Sequence, residues 1–225
     1  MTSLWSASCG RQAFADLERL IPGGSDFIEH LGGIVDFRPL MAAWLFVASD
    51  GGYIRPHKDW TDRKPRFTRL HLPISSGDDC LSSEDNIVYR MNVGEVWYLD
   101  SGRTHSAICF GSKPRIHLIL DYPPDCEPHA LLDPACHVDR PPIPLPRPGF
   151  DSRERTAIAG LSRLIGPATF ERVVALLGSL HFRRDADAAD MYDWLDAICR
   201  DSGSAELICR STQLRQDSIG GAIGT

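Results

Sequence analysis

Residues 95–120, which read EVWYLDSGRTHSAICFGSKPRIHLIL, decide the fold class of this chain. They contain three short apolar runs, separated by polar turns, at 95–99, 106–110 and 116–120. Short apolar runs between turns that are rich in Gly, Ser and Pro are typical of β-strands. The same pattern predicts further strands upstream, at 44–47, 67–74 and 86–91. Many short strands with frequent turns indicate a sandwich or a barrel.

The composition is that of a globular protein and excludes several classes of function. The chain has 225 residues, of which 43% are hydrophobic and 24% charged, so it can bury a sizeable core. A net charge of -6 without a long basic run argues against binding to nucleic acid or to an anionic membrane. The apolar stretch 41–48 is too short to span a bilayer, and the first residues lack the pattern of a signal peptide. We therefore expect a cytoplasmic protein whose seven cysteines are reduced thiols.

Composition divides the chain into four parts. Residues 1–39 mix helix and loop signals and are expected to form an N-terminal helical segment, with a short helix over 26–31. Residues 40–137 carry the predicted strands and form the core. Residues 138–150 contain five prolines, which predict a stiff, extended linker. Residues 151–225 form a helical region, with apolar residues at helical spacing in 152–164, 167–182 and 189–200.

The sequence His57-Lys58-Asp59 carries the clearest chemical signal. Residues two apart on a strand share a face, so an imidazole and a carboxylate would lie side by side. His105, in the polar turn after the predicted strand 95–99, is the best candidate for a third metal ligand. Two histidines and one carboxylate on a β-scaffold can bind non-haem Fe(II) and leave coordination positions open. His-x-Asp is a short pattern that occurs by chance in many proteins, so the alternative is that these residues bind no metal.

Arg115 adds a possible anion site. If the turn 111–114 closes a hairpin, Cys109 faces Arg115, and His105 and Arg115 share a face. The two would then lie about 13 Å apart, at ~3.3 Å per residue. A dicarboxylate bound to the metal at one end could place its other carboxylate on the guanidinium, which binds carboxylates at two points. The alternative is an ordinary surface charge after a turn.

Taken in order, the motifs of the chain resemble those of the bacterial Fe(II)/2-oxoglutarate-dependent free L-proline hydroxylases. The matching segments are YIRPHKDW at 53–60, RLHL at 69–72, DNI at 85–87, GEVWYLD at 94–100, HSA at 105–107 and PRIHL at 114–118. A looser match to the helical tail of the proline cis-4-hydroxylases covers HF at 181–182 and MYDWLDAIC at 191–199. The wider aspartyl/asparaginyl β-hydroxylase family shares the Arg-x-His-Leu and Glu-Val-Trp segments.

The resemblance implies a mainly β fold. The expected architecture is a double-stranded β-helix, a cupin-like jelly roll, with flanking helices and an α-helical C-terminal region. The resemblance also implies that His57, Asp59 and His105 bind the iron and form the catalytic centre. Compared with the family, the region that precedes His57 is expected to be shortened.

Further residues acquire roles from the same resemblance. Arg115 is expected to bind the distal carboxylate of 2-oxoglutarate. Arg69 and His71 match a family Arg-x-His and would bind a carboxylate of the cosubstrate or, for Arg69, of the substrate. Their alternative interpretation is a buried salt-bridged pair. Trp60 would line the substrate pocket, or belong to the core.

The expected activity is hydroxylation of a free amino acid, L-proline or a close cyclic analogue. It would use Fe(II), 2-oxoglutarate and O₂, with ascorbate as reductant, and would involve neither nucleic acid nor a membrane. Two alternatives stay open: an aspartyl/asparaginyl β-hydroxylase that acts on peptides, and a non-catalytic jelly-roll protein that binds a metal or ligand.

Overall fold

The computed structural model describes residues 2–6, 23–48, 51–59, 67–136 and 140–220. These ranges contain nine strands, β1 to β9, at Thr2–Ser6, Ala42–Ala48, Tyr53–His57, Thr68–Ser75, Cys80–Glu84, Ile87–Tyr89, Trp97–Leu99, His105–Cys109 and Arg115–Tyr122. They also contain five α-helices, α1 to α5, at Gly24–Gly32, Ser152–Gly160, Phe170–Leu180, Asp190–Asp201 and Ala205–Ile219. Short 3₁₀ helices occupy Pro128–Leu131, Pro134–Cys136 and Leu161–Arg163.

The strands form two antiparallel sheets. The larger sheet has the order β1-β2-β9-β4-β7 and the smaller one the order β3-β8-β5-β6. From β2 to β9 the chain passes from one sheet to the other at every connection except β5–β6. This winding is that of a double-stranded β-helix, and it confirms the expected mainly β jelly roll with a helical C-terminal region.

The predicted hairpin between residues 106–110 and 116–120 is wrong. Strand β8 pairs with β3 and β5, whereas β9 pairs with β2 and β4, so the turn at 111–114 crosses between the sheets. Both strands are buried on both faces over most of their length. Each of the two strands is central in its sheet because it pairs along both edges, and its burial on both faces shows that its sheet is covered on both sides.

The apolar core of the larger sheet lies on its outer face. Alternate residues of β4 and β9, among them Leu70 and Leu118, pack against Leu31 of α1 and Leu131. The other set of alternate residues points between the two sheets and is largely polar. It includes the side chains of Arg69, His71, Arg115, His117 and Asp121. A barrel whose interior is polar is suited to hold a ligand rather than to act as a hydrophobic core.

The C-terminal helices cover the outer face of the smaller sheet. Tyr53 of β3 packs into the helical cluster that contains Leu177 and Leu195. Its hydroxyl lies 3.2 Å from the sulfur of Met191, and the hydroxyl of Tyr192 donates to the carbonyl of Pro56. The helices therefore pack directly on the barrel, behind the strand that carries His57.

Local sequence explains where several helices begin and end. Helix α2 begins at a capping box, in which the Asp151 carboxylate accepts from the backbone N–H of Glu154. Helix α5 begins at Ser204, whose hydroxyl accepts from the N–H of Leu207, and ends at Gly220, whose φ of 59° suits glycine. The sequence prediction contains the other C-terminal helices but not α5.

The proline-rich segment has no regular secondary structure over residues 140–150, and hydrogen bonds attach it to its surroundings. The N–H of Leu145 donates to the carbonyl of Val88 in β6. The guanidinium of Arg147 donates to the carbonyls of Asn86, Arg184 and Ala186 at 2.7, 3.0 and 3.0 Å. The segment thus ties the barrel to the helices, which a flexible spacer would not do.

The N-terminal part contains a strand that the sequence prediction did not include. Residues Thr2–Ser6 form β1, which extends the larger sheet beside β2, while the short helix predicted over 26–31 is present as α1. The helical spacing before residue 22 falls outside the described residues. None of the helices in the described ranges is long and apolar enough to cross a membrane.

Candidate active site

The side chains of His57, Asp59 and His105 come together at one end of the barrel. Their potential ligand atoms all lie within 4.8 Å of one another. The Asp59 carboxylate lies 3.3 Å from His57 Nε2 and 3.6 Å from His105 Nε2. Two imidazole nitrogens and a carboxylate oxygen at this spacing form the donor set of a facial metal site. The structure therefore places the three predicted ligands where one metal ion could bind them.

A bulge in β3 aims His57 into this cluster. Ile54 pairs with Ala107, but the next pair is His57 with His105, so β3 has one residue more than β8 between them. Without this extra residue, the alternation of a strand would turn the His57 side chain to the opposite face. Pro56 lies inside the bulge, where its missing N–H leaves no gap in the ladder.

Both histidines are held in the orientation that a metal ligand needs. His57 Nδ1 lies 2.9 Å from the carbonyl oxygen of Arg55, and His105 Nδ1 lies 3.0 Å from that of Arg103. A carbonyl can only accept, so each Nδ1 carries a proton, and in the neutral ring Nε2 holds the lone pair that a metal would bind. Burial, and then the nearby His57 ring, lower the pKa of His105 to about 4, so its imidazole is neutral at pH 7.

The carboxylate of Asp59 is oriented by a network that crosses the larger sheet. Arg69 Nη1 lies 2.5 Å from Asp59 Oδ2, while Arg69 Nε and Nη2 donate to the two oxygens of Asp121 at 2.6 and 2.8 Å. Asp121 also accepts from the indole N–H of Trp44 at 2.9 Å. Burial alone would raise the pKa of Asp59, but the contact with His57 and the charge of Arg69 outweigh burial and lower it.

Arg115 is a buried cation without a counter-ion among the described residues. Its side chain reaches from β9 to the smaller sheet, where Nη2 lies 3.3 Å from the hydroxyl of Ser82. The residue is only 4% exposed, and in the described ranges no carboxylate forms an ion pair with it. Burial lowers the pKa of Arg115 to about 10. A buried guanidinium in this state favours an anion beside it, which fits the distal carboxylate expected from the sequence.

Two buried histidines lie in the barrel near Arg115. The rings of His71 and His117 are 6.0 Å apart, and none of their four nitrogens has a hydrogen-bond partner in the part of the chain that the structure describes. Burial lowers the pKa of His71 well below its ordinary value and that of His117 to about 2, so both rings are neutral. Unpaired polar atoms in a buried space indicate room for a polar ligand. The predicted site residue Trp60 lies outside the described residues.

The structure also adds residues that the sequence did not single out for the site. Asp121, His117 and Ser82 all face the barrel interior. Asp121 and His117 lie an even number of residues from Arg115 on one strand, and this spacing could have identified them. The position of Ser82 beside Arg115 could be found only from the packing of the two sheets.

A groove of about 740 Å³ opens beside His57, between β3 and the helices α3 and α5. Its lining includes the exposed Arg55 and the exposed Asp217 as well as apolar residues such as Val174. The groove thus offers one cationic group and two carboxylates, those of Asp217 and Glu171, beside the His-Asp-His cluster.

Comparison with known proteins gives two family matches. The family model described as "Aspartyl/Asparaginyl beta-hydroxylase" matches residues 8–124, just over half of the chain. The model described as "L-proline 3-hydroxylase, C-terminal" matches residues 133–220. Together they cover the barrel and the helical region.

Individual relatives agree with these matches. L-proline cis-4-hydroxylase of Rhizobium meliloti (strain 1021) is 34% identical over 176 residues, which are 76% of this chain and 62% of the relative. L-proline cis-3-hydroxylase 2 of a Streptomyces species is 27% identical over 172 residues, covering 73% and 59%. The chain therefore spans about six-tenths of the length of these curated relatives.

A structural match was found to an uncharacterised conserved protein with a double-stranded β-helix domain from Klebsiella pneumoniae. It has 21% identity and a TM-score of 0.31, and it covers 38% of this chain and 70% of that protein. We assign the fold from the strand order described above and not from this similarity. The extent of the first family match is sufficient for classification: this chain belongs to the aspartyl/asparaginyl β-hydroxylase family.

Proposed function

We propose that this protein is an Fe(II)/2-oxoglutarate-dependent dioxygenase that hydroxylates a free amino acid, L-proline or a close cyclic analogue. The observation that carries the proposal is the pairing of two sites in one barrel. A His-Asp-His cluster suited to a metal lies at its mouth, and a buried guanidinium that has no counter-ion among the described residues lies inside it. Bound iron and 2-oxoglutarate would supply the oxidation by O₂, with release of CO₂ and succinate.

The residues of the chain would bind and orient these groups. His57, Asp59 and His105 would hold the metal through Nε2, a carboxylate oxygen and Nε2. Arg115 would neutralise the distal carboxylate of the cosubstrate, and His71 would bond to it in the barrel interior. The catalytic core in this proposal is residues 40–137, and the protein is cytoplasmic.

The role proposed for Arg69 differs from the carboxylate-binding role that the sequence predicts. Three of its nitrogens already contact Asp59 and Asp121, so its main role would be to position the metal-binding carboxylate. Binding of a substrate or cosubstrate carboxylate, the role expected from the family, would have to share the same guanidinium.

Two observations support a free amino acid as substrate. The relatives named above are L-proline hydroxylases, and their similarity extends through the helical region. The groove beside His57 carries Arg55 and Asp217, whose charges complement the carboxylate and the ammonium of a zwitterion. An internal residue of a peptide, by contrast, has neither a free α-ammonium nor a free α-carboxylate group.

The test is mass spectrometry of a free amino-acid pool after incubation with Fe(II), 2-oxoglutarate, ascorbate and air. We expect succinate and one hydroxylated amino acid, with L-proline or pipecolate as the consumed substrate. Asp59→Ala should abolish both products, because the missing ligand disrupts the metal site. As a matched control, Asp125→Ala replaces an exposed carboxylate outside the site and should leave turnover unchanged.

The same assay distinguishes the alternatives. Turnover with peptides that contain Asp or Asn, and none with free amino acids, would favour the peptide hydroxylase. Metal binding without succinate from any substrate would favour a non-catalytic binding protein. Either outcome would contradict the proposal.

A further inference from the structure

Two cysteines face each other across neighbouring strands of the smaller sheet. Cys80 of β5 and Cys109 of β8 are direct partners in the register, and their sulfur atoms lie 3.1 Å apart. The N–H of Phe110 donates to the carbonyl of Asp79, so Cys80 and Cys109 occupy a non-hydrogen-bonded pair of the ladder. Directly opposite residues at such a pair have Cα atoms about 4.5 Å apart, within the range that a disulfide spans.

The pair lies under the segment that carries Arg115. Cys109 Sγ is 3.3 Å from the carbonyl of Lys113 and 3.5 Å from that of Gly111, and Cys80 Sγ is 3.9 Å from the Lys113 carbonyl oxygen. A thiol can donate its hydrogen to these carbonyls, and the residues from 111 to 114 lead directly into Arg115. Each thiol therefore contributes a weak hydrogen bond to the turn that precedes Arg115 in the chain.

From this geometry we infer that Cys80 and Cys109 form a reversible, peroxide-sensitive dithiol pair whose oxidation loosens the Gly111–Pro114 turn. In the first step, one thiolate attacks an oxygen of hydrogen peroxide and becomes a sulfenic acid, and the other oxygen leaves as water after protonation. In the second step, the other thiol attacks that sulfur, a disulfide forms and a second water leaves. Two thiols and one peroxide thus give one disulfide and two waters.

Oxidation of the two S–H groups removes the donors to the turn. A disulfide has no hydrogen to offer to the carbonyls of Gly111 and Lys113, so the weak thiol hydrogen bonds to the turn are lost. The bonds from Ser75 Oγ to the Pro114 carbonyl and from Lys113 Nζ to the Ser76 carbonyl remain, so the turn is loosened rather than released. The position of Arg115 would become less defined. The consequence for cosubstrate binding rests on the proposed function, whereas formation of the disulfide and loosening of the turn do not.

The burial of Cys80 and Cys109 determines how fast peroxide oxidises them. Both residues are buried, and burial together with the neighbouring Cys80 raises the pKa of the Cys109 thiol. The thiolate is the reactive form, so oxidation should be slower than at an exposed cysteine and should accelerate as the pH rises. Peroxide is small enough to enter the polar space between the sheets that these side chains share with Arg115.

The test is peptide mapping of the native full chain after treatment with hydrogen peroxide, with thiols alkylated before digestion. We expect a cross-linked peptide pair containing Cys80 and Cys109, lighter by about 2 Da than the reduced pair and restored by dithiothreitol. Cys109→Ser should abolish the cross-link, and Cys136→Ser, at an exposed position elsewhere, should leave it intact. Buried Cys199 in α4 should stay reduced.

Hydrogen exchange of the same samples tests the loosening of the turn. Amide exchange in residues 111–116 should accelerate on oxidation, by roughly threefold for each thiol-to-carbonyl hydrogen bond that the disulfide removes. Alkylated Cys80 and Cys109 in a sample whose exposed cysteines are oxidised would overturn the inference. A cross-link with unchanged exchange at 111–116 would equally overturn it. Both measurements use the wild-type protein, so neither depends on a variant that folds.

Discussion

Replacing Arg115 with methionine should stabilise the protein and at the same time remove the proposed binding site for the cosubstrate carboxylate. Arg115 is 4% exposed, the hydrogen bond from its guanidinium to Ser82 is 3.3 Å long, and no ion pair to it forms within the described part of the chain. Methionine keeps much of the length and volume of the side chain but carries no charge. The variant therefore isolates the effect of the buried charge from that of packing.

The pKa of Arg115 gives the size of the effect. Burial lowers this pKa from its ordinary value to about 10, so at pH 7 the charged form is less favourable in the folded than in the unfolded chain. This difference corresponds to about 3 kcal/mol of free energy of unfolding. Removal of the bond to Ser82 offsets about 1 kcal/mol of the gain. Arg115→Met should thus raise the free energy of unfolding by about 2 kcal/mol.

Urea unfolding with and without 2-oxoglutarate checks both parts of this prediction. Wild-type protein at a ligand concentration about a hundred times the Kd should gain about 2.7 kcal/mol, and Arg115→Met should gain nothing. Arg153→Met, at an exposed position, is the matched control and should change the stability by less than about 0.5 kcal/mol. An Arg115→Met variant that is less stable than wild type and still stabilised by 2-oxoglutarate would refute the reasoning.

Three further predictions concern the surroundings of the site. Asp121→Asn should weaken Fe(II) binding about 10- to 100-fold in a competition titration, because Arg69 would no longer be held against Asp59; unchanged affinity would contradict the positioning role. Gly178→Ala should lower the free energy of unfolding by about 1–3 kcal/mol, since a Cβ would overlap the tyrosine hydroxyl of β3; equal stability in urea would show that the helices do not pack on that strand. Burial lowers the pKa of His181 to about 4, so the stability present at pH 7 should decline as the pH falls from about 6.5 towards 4, by up to about 3 kcal/mol, and less so in His181→Gln; parallel pH profiles in urea would exclude that residue as the cause.

Periodicity predicted most strands because their outer faces are apolar. Strands β4 and β9 carry Leu at alternate positions, and these residues form the core against α1. Strand β5 reads CLSSE and escaped prediction, because its inward residues line a polar interior. The alternation of apolar and polar residues identifies a strand by its apolar face. This alternation is weaker in a strand whose buried face is polar because it lines a space for a ligand.

The cluster of His57, Asp59 and His105 was predictable in part. His57 and Asp59 are two residues apart, so any local conformation keeps them near each other, and the observed bulge in β3 brings His57 onto the inner face. His105 required a long-range pairing, which the resemblance supplied and periodicity could not. The bulge itself was not predicted, although Pro56 in a strand is a signal for one.

The network behind the cluster could not be read from the sequence. Arg69 and Asp121 become partners only through the register of β4 with β9, where they pair directly. The hairpin that would have brought Cys109 opposite Arg115 does not exist, because consecutive strands here join different sheets. Cys109 nevertheless lies near Arg115, since both point into the barrel from facing sheets.

The most direct test of the proposed activity is the ratio of succinate to hydroxylated L-proline formed by the Fe(II)-loaded protein in air. A dioxygenase that couples cosubstrate oxidation to hydroxylation gives both products in nearly equal amounts, and we expect a ratio close to one. Asp59→Ala should give neither product. Succinate without hydroxyproline or any other hydroxylated free amino acid, or no succinate from a protein that binds Fe(II), would contradict the account.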